Sequence, residues 1–199
     1  MWTRRRLGTL VVAWMVLWPF GAASPDAGPT ISGGTPEQRQ MARWAIQRFW
    51  DHELTLPPLE IRFHQTRDGC SGRGGLYRRE VVEICRLRGL TIDWAASELL
   101  HEMAHGWVDV NLGEDDHERF LQVRGLTTWN DPDAAWEERG FEHAAEIIAW
   151  AIGGQPGGIH LPSVPDNSID ELARGYRVLT GRPLPTVVPP DRWPPATFA

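Results

Sequence analysis

His101-Glu102-Met103-Ala104-His105 is the stretch of this 199-residue sequence that most restricts its fold. The two histidines are four residues apart, so on an α-helix they lie on one face and are separated by one turn. Two imidazoles in that arrangement can bind one metal ion. Glu102 is turned by about 100° around the helix, where it can reach a metal-bound water rather than the ion. Apolar residues recur around the motif at helical spacing, which predicts a half-buried helix.

A later stretch offers a third metal ligand, which a catalytic zinc site usually requires. Glu142 and Glu146 are four residues apart and are therefore expected on one face of a second helix. The alanines between and after them are small enough to let this helix approach the motif helix. Asp109, one turn after His105, is a further candidate, either as a ligand or as a carboxylate that supports His105.

The two stretches together resemble the gluzincin metallopeptidases, in particular the compact, single-domain, secreted members. The resemblance covers about residues 92–153 and depends on HEMAH followed by E-x-x-A-[acidic or amide]-x-x-A. It implies a zincin-like domain with one Zn2+ per chain, held by His101, His105 and Glu142. It also implies that Glu146 orients a ligating histidine. Glu146 stands where aspartate or asparagine is more usual, so an exchange of roles between Glu142 and Glu146 stays open.

The resemblance further implies hydrolysis of peptide bonds. Zinc lowers the pKa of a bound water and polarises the scissile carbonyl, and Glu102 then acts as the general base. A second electrophile is expected to stabilise the oxyanion, and Tyr176 on the last predicted helix is the candidate. Tyr176 also has the helical spacing of a core residue together with Leu172 and Leu179, and packing is the preferred interpretation.

The first 23 residues have the pattern of a secretory signal peptide. Arginines 4–6 precede an apolar run from Leu7 to Phe20, and the small residues after it favour cleavage after Ala23. An uncleaved N-terminal membrane anchor is the alternative, because tryptophans lengthen the apolar run. The sequence therefore predicts a secreted protein with no stable membrane association after signal cleavage.

Export would place the two cysteines in an oxidising compartment. Cys70 and Cys85 are the only pair and are expected to form a disulfide. They lack the C-x2-C spacing that is typical of a cysteine metal site. The net charge of −6 does not favour nucleic acid as a partner. The expected partner is a peptide or protein substrate.

The remaining sequence fits one small α+β domain, mostly helical, with a short β-hairpin or sheet before the motif helix. Residues 24–34 are rich in Gly, Pro and Ser and predict a flexible leader. Residues 35–181 are expected to form the zincin-like metallopeptidase domain that the resemblance implies. Residues 182–199 are rich in proline and predict an extended or disordered tail.

Secondary-structure boundaries follow from caps and breakers. Thr35 and Pro36 predict the start of a helix that ends near Asp51. Alternating apolar stretches at 59–63 and 81–87 predict two strands joined by a glycine-rich turn. A long helical stretch is predicted from Asp131-Pro132 to Gly153-Gly154, with Gly140 as a point of interruption. A final helix is predicted between Ser168 and Gly181.

Two other functions stay open on the sequence alone. One is an exported zinc-binding domain without catalytic activity, and the other is a zinc amidase that acts on cell-wall peptides. Glu102 speaks against a purely structural zinc site, which needs no carboxylate beside His101 and is normally closed by four protein ligands. Nothing in the sequence separates an amidase from a peptidase.

Overall fold

A computed structural model describes residues 28–85, 92–154 and 158–186. Within these ranges the helices are Pro36–Asp51 (α1), Ile92–Asn111 (α2), Glu114–Arg124 (α3), Gly140–Ile152 (α4) and Ile169–Thr180 (α5). The strands are Thr30–Gly33 (β1), Glu60–His64 (β2), Gly75–Arg78 (β3) and Val81–Cys85 (β4). The predicted α+β class is confirmed. The signal-peptide region and the tail from residue 187 lie outside the described residues.

The four strands form one mixed sheet in the order β1-β2-β4-β3. β1, β2 and β4 are parallel neighbours, and only β3 runs antiparallel, against β4. The prediction that a glycine-rich turn joins β2 and β4 as a hairpin is therefore wrong. The hairpin is β3–β4, and it turns at Arg79 and Glu80, whose φ angles are 45° and 71°. Arginine and glutamate rarely adopt this left-handed conformation, so the sequence carries no recognisable turn signal there.

The predicted flexible leader, residues 24–34, is wrong for Thr30–Gly33. These residues form β1, in parallel register with β2, and Ile31 lies opposite Ile61. Gly33 and Gly34 have φ angles of 70° and 74°, so they turn the chain from β1 into α1. The glycines that suggested flexibility therefore form a tight connection.

The cap signals predicted α1 and α5 correctly. Thr35 and Gln38 bond reciprocally to each other's backbone N–H at the start of α1, at 3.2 and 2.8 Å. Ser168 caps α5, which ends at Gly181 with a φ of 69°.

The predicted helical stretch from Asp131 becomes α-helical only at Gly140. Residues 131–135 form turns, and Trp136–Glu138 is a short 3-10 helix. The side chain of Arg139 donates hydrogen bonds to the carbonyl oxygens of Pro132 and Ala134 at 2.6–3.1 Å, which stabilise the loop. A Cβ at Gly140 would lie 2.7 Å from the Leu121 side chain, so glycine lets α4 begin against α3.

The motif helix α2 lies between the sheet and α4 and contacts both. Its buried apolar face belongs to the main core and comprises Leu99, Leu100, Met103, Ala104, Trp107 and Val108. Burial of about 1.5–3 kcal/mol per large apolar side chain holds α2 in this position. None of the helices in the described ranges has the length and apolar character needed to cross a membrane.

The predicted disulfide between Cys70 and Cys85 is confirmed. It ties the short 3-10 helix Arg67–Cys70 to the end of β4. A cross-link that closes a loop of this size contributes on the order of 3 kcal/mol by restricting the unfolded chain. The bridge therefore stabilises the segment that leads from β2 into the β3–β4 hairpin.

A substitution at Gly75 tests the close contact between β3 and α2. A Cβ at this position would lie 2.6 Å from Cγ and Oε1 of Glu102 and 2.9 Å from Cγ of Glu98. We expect Gly75→Ala to lower the free energy of unfolding by about 1–3 kcal/mol, because either β3 or the buried side chains of Glu98 and Glu102 must shift. Urea denaturation measures this change. Gly28→Ala is the control, since its new methyl group meets nothing closer than 3.8 Å. Equal stability of the two variants would contradict the described packing.

Candidate metal centre

Three side chains from two helices converge beside the sheet. Oε2 of Glu142 on α4 lies 3.3 Å from Nε2 of His101 and 3.1 Å from Nε2 of His105, both on α2. The candidate ligand atoms of the three residues all lie within 4.8 Å of one another. His101 and His105 are 8% and 4% exposed, and Glu142 is half-buried. Two imidazole nitrogens and one carboxylate oxygen at this spacing can hold a metal ion.

Small residues on α4 bring Glu142 within reach of α2. Ala145 and Ala149 follow Glu142 and Glu146 by three residues and are buried on the same face of α4, which packs against α2; Ala144 is buried as well. The aromatic ring of Phe141 stacks on the His105 imidazole with a centroid distance of 4.1 Å and so limits the motion of that imidazole. Local helical spacing therefore sets which side chains face the centre, and the alanines set how closely they approach.

Glu146 contacts the other nitrogen of His101. Its Oε2 lies 2.9 Å from His101 Nδ1, one helical turn from Glu142. Glu142 thus faces the Nε2 atoms of both histidines, whereas Glu146 faces only Nδ1 of one. A carboxylate on the remote nitrogen of a histidine fixes the orientation and tautomer of the ring.

Glu102 is buried next to this cluster and is 7% exposed. Burial raises its pKa to about 7, against the nearby positive charge of His101, which lowers it. The backbone N–H of Tyr77 on β3 interacts with the ionised carboxylate. Glu102 therefore lies where the motif helix packs against the edge strand β3, close to His101.

Glu98 is a member of the site that the sequence analysis missed. It lies on α2 one turn before Glu102, and burial raises its pKa as well. The spacing of three residues to His101 and four to Glu102 was present in the sequence as the signal. That signal was overlooked because Glu98 falls outside the H-E-x-x-H pattern.

The two histidines differ in charge. Burial lowers the pKa of His101, but hydrogen bonds with Glu142 and Glu146 outweigh it and raise the value to about 10. Burial lowers the pKa of His105 below its ordinary value. Burial raises the pKa of Glu142, but hydrogen bonds with both histidines hold it well below its usual range. Without metal, the cluster is therefore an ion pair between His101 and Glu142 beside a neutral His105.

Asp109 is hydrogen-bonded to a tyrosine of β3, and it acts on His105 only through its charge. Its Oδ2 accepts a hydrogen bond of 2.9 Å from the Tyr77 hydroxyl. Nδ1 of His105 is buried and has no hydrogen-bond partner among the described residues. The prediction placed Asp109 correctly one turn beyond His105, but β3 brings a tyrosine hydroxyl to its carboxylate.

Tyr77 is the second residue that the sequence analysis missed. Its ring stacks near the His105 ring, with 6.2 Å between centroids. Burial and the bond to Asp109 raise its pKa to about 12. No local signal indicated that β3, a four-residue strand, packs beside α2, so only the tertiary structure reveals this neighbour.

Tyr176, the candidate oxyanion stabiliser, lies in the hydrophobic core. It is 1% exposed on α5, which packs against α3 and α4. Buried Leu172 and Leu179 share its helix face. A side chain enclosed in this way is not presented to a substrate, so the structure agrees with the packing interpretation and not with a role in the reaction.

The chain matches no protein-family model, and no curated protein or solved structure matches it. The interpretation of the centre therefore depends on the geometry of these residues and on the chemistry of their side chains.

The pKa of His101 predicts how the metal-free protein responds to pH. Between its ordinary value of 6.5 and the folded value of about 10, the folded state holds one proton that the unfolded state has lost. The stabilisation is full below pH 6.5 and falls as pH rises, by roughly 1 kcal/mol per pH unit. We expect urea denaturation in a metal chelator to give a lower free energy of unfolding at pH 9 than at pH 7.5.

Glu142→Gln is the control for this measurement, since it removes a carboxylate that holds the proton on His101. Its stability should change less between the two pH values. The lowered pKa values of His105, His117 and His143 give no slope in this window, because these groups are neutral there in both states. A wild-type stability that is constant or rises from pH 7.5 to 9 would contradict the ion pair.

Proposed function

We propose that this chain is an exported, zinc-dependent metallopeptidase of the gluzincin type. The observation that carries the proposal is the arrangement around α2. Glu142 reaches the Nε2 atoms of both motif histidines within 3.3 Å, while buried Glu102 lies beside them and belongs to no ligand set. A metal centre with a spare buried carboxylate is typical of hydrolytic zinc sites and not of structural ones.

The donor set fits zinc. His101, His105 and Glu142 supply two imidazole nitrogens and one carboxylate oxygen, and three protein ligands leave a coordination position for substrate or water. Zinc in such a site lowers the pKa of a water molecule and polarises a carbonyl group. Glu146 holds His101 through Nδ1 and so keeps Nε2 directed towards Glu142.

Glu102 is the proposed general base. It accepts a proton from the attacking water and donates it to the nitrogen of the leaving amine. In the metal-free protein burial raises the pKa of Glu102 to about 7, so this carboxylate gains a proton more readily than an exposed glutamate does. Gly75 packs closely against Glu102, so β3 restricts where the Glu102 carboxylate can lie.

An extended peptide is the substrate that the surrounding fold favours. β3 is an edge strand in the described sheet and lies against α2, next to the centre. A sheet edge can recognise any extended main chain through backbone hydrogen bonds. The disulfide between Cys70 and Cys85 is compatible with an extracellular protein. Secretion and the cleavage of the signal peptide are part of the proposal.

Glu102→Gln tests the proposed chemistry, because it preserves the size of the side chain and removes the base. With zinc bound, we expect cleavage of a diverse peptide library to fall by a factor of roughly 10²–10⁴. Mass spectrometry of the products gives the rate, and metal analysis should show unchanged zinc content. Glu118→Gln, an exposed change on α3, is the control that should keep full activity.

Two results would contradict the proposal. If Glu102→Gln kept the wild-type activity, Glu102 would not be the general base. A wild-type protein that holds one zinc ion and cleaves no peptide of the library would favour the exported, non-catalytic zinc-binding domain.

A further inference from the structure

Trp136 is an exposed aromatic residue at the margin of the candidate centre. It opens the short 3-10 helix before α4 and is 45% exposed. Its indole lies against the His101 imidazole, with 6.4 Å between ring centroids and 29° between planes. The large exposed apolar side chains of the described residues are Trp50, Val110, Trp136 and Ile169. Among them, Trp136 has a ring contact with the histidine pair, and much of its surface remains open to solvent.

The loop that carries Trp136 is acidic. Residues 131–139 contain the carboxylates Asp131, Asp133, Glu137 and Glu138 and one cation, Arg139. The guanidinium of Arg139 is held by the carbonyl oxygens of Pro132 and Ala134. With four carboxylates and one guanidinium, residues 131–139 carry a net charge of 1 − 4 = −3, and Trp136 lies within this stretch.

Carboxylates also dominate the centre beside Trp136. The glutamates next to His101 and His105 are Glu98, Glu102, Glu142 and Glu146. Glu142 and Glu146 form ion pairs with the two histidines, whereas Glu98 and Glu102 lie near the positive charge of His101 without such a pair among the described residues. A divalent ion offsets two of these charges, and the loop charges remain.

We propose that Trp136 binds a lysine or arginine side chain of the substrate, close to the bond that is cleaved. This inference depends on the proposed peptidase function. The open face of an indole is the strongest cation–π acceptor among the side chains, and the neighbouring carboxylates add attraction for a positive charge. An apolar side chain would gain contact area but nothing from those carboxylates, and an acidic side chain would be repelled.

Because Trp136 lies beside the candidate metal centre, it would contact a substrate side chain near the reacting bond. Trp136 contacts His101, whereas Tyr77 lies near His105, so the two rings flank opposite members of the histidine pair. The Tyr77 hydroxyl is already bonded to Asp109. Trp136 is therefore the flanking aromatic residue with both an open face and an acidic loop around it.

The test compares side-chain preference in wild type, Trp136→Ala and Trp50→Ala, each loaded with zinc. A diverse peptide library first locates the preferred cleavage sites by mass spectrometry. Synthetic peptides then carry lysine, norleucine or glutamate at the preferred position. We expect wild type to prefer lysine over norleucine by about tenfold in kcat/KM, mainly through KM, and to cleave the glutamate peptide least. Trp136→Ala should lose the preference for lysine. Trp136→Phe, which keeps a weaker aromatic face, should retain part of it.

Trp50→Ala is the matched control, because Trp50 is 52% exposed on α1 and has no ring contact with the centre. It should keep the wild-type preference. The same side-chain profile in wild type and Trp136→Ala would overturn the inference and leave the peptidase proposal standing. A wild-type preference for norleucine over lysine would overturn it as well. A library left wholly uncut by wild type would overturn both proposals together.

Discussion

The contact of the half-buried Glu142 carboxylate with two buried imidazoles is the interaction on which this site depends. Removing an ionised carboxylate from water is costly unless opposite charges or hydrogen-bond donors surround it. His101 and His105 meet that need within 3.3 Å. The contact also fixes how α4 lies on α2, since Glu142 and the motif histidines belong to different helices. A metal ion at the same place would take over the role that the proton of His101 has without metal.

Local periodicity explains how much of this could be predicted from the sequence. The four-residue spacings of the histidines and of the glutamates place each pair on one helix face whatever the rest of the fold is. The sequence therefore predicted the three clustered residues and the position of Glu146 near His101. Helix caps at Thr35 and Ser168 were predictable for the same reason, because each involves neighbours in the chain.

Contacts between distant segments were not predictable in this way. The parallel pairing of β2 with β4 depends on tertiary packing. The position of β3 at the sheet edge, next to β4, depends on an unusual turn at Arg79 and Glu80. Tyr77 reaches His105 and Asp109 only because β3 lies against α2. The loop before α4 likewise depends on Arg139, which stabilises an arrangement that helix propensity does not favour. Tertiary hydrogen bonds outweigh propensities of a few tenths of a kcal/mol per residue.

The central claim is that Glu142 is a metal ligand and Glu146 is not, and zinc titration of wild type, Glu142→Gln and Glu146→Gln tests it most directly. The account predicts one tightly bound zinc ion per wild-type chain and loss of tight binding in Glu142→Gln. Glu146→Gln should keep one zinc ion with an affinity about 10–100-fold weaker, as expected when a residue that only orients a ligand is changed. Wild-type affinity in Glu142→Gln, or loss of zinc in Glu146→Gln alone, would contradict the account.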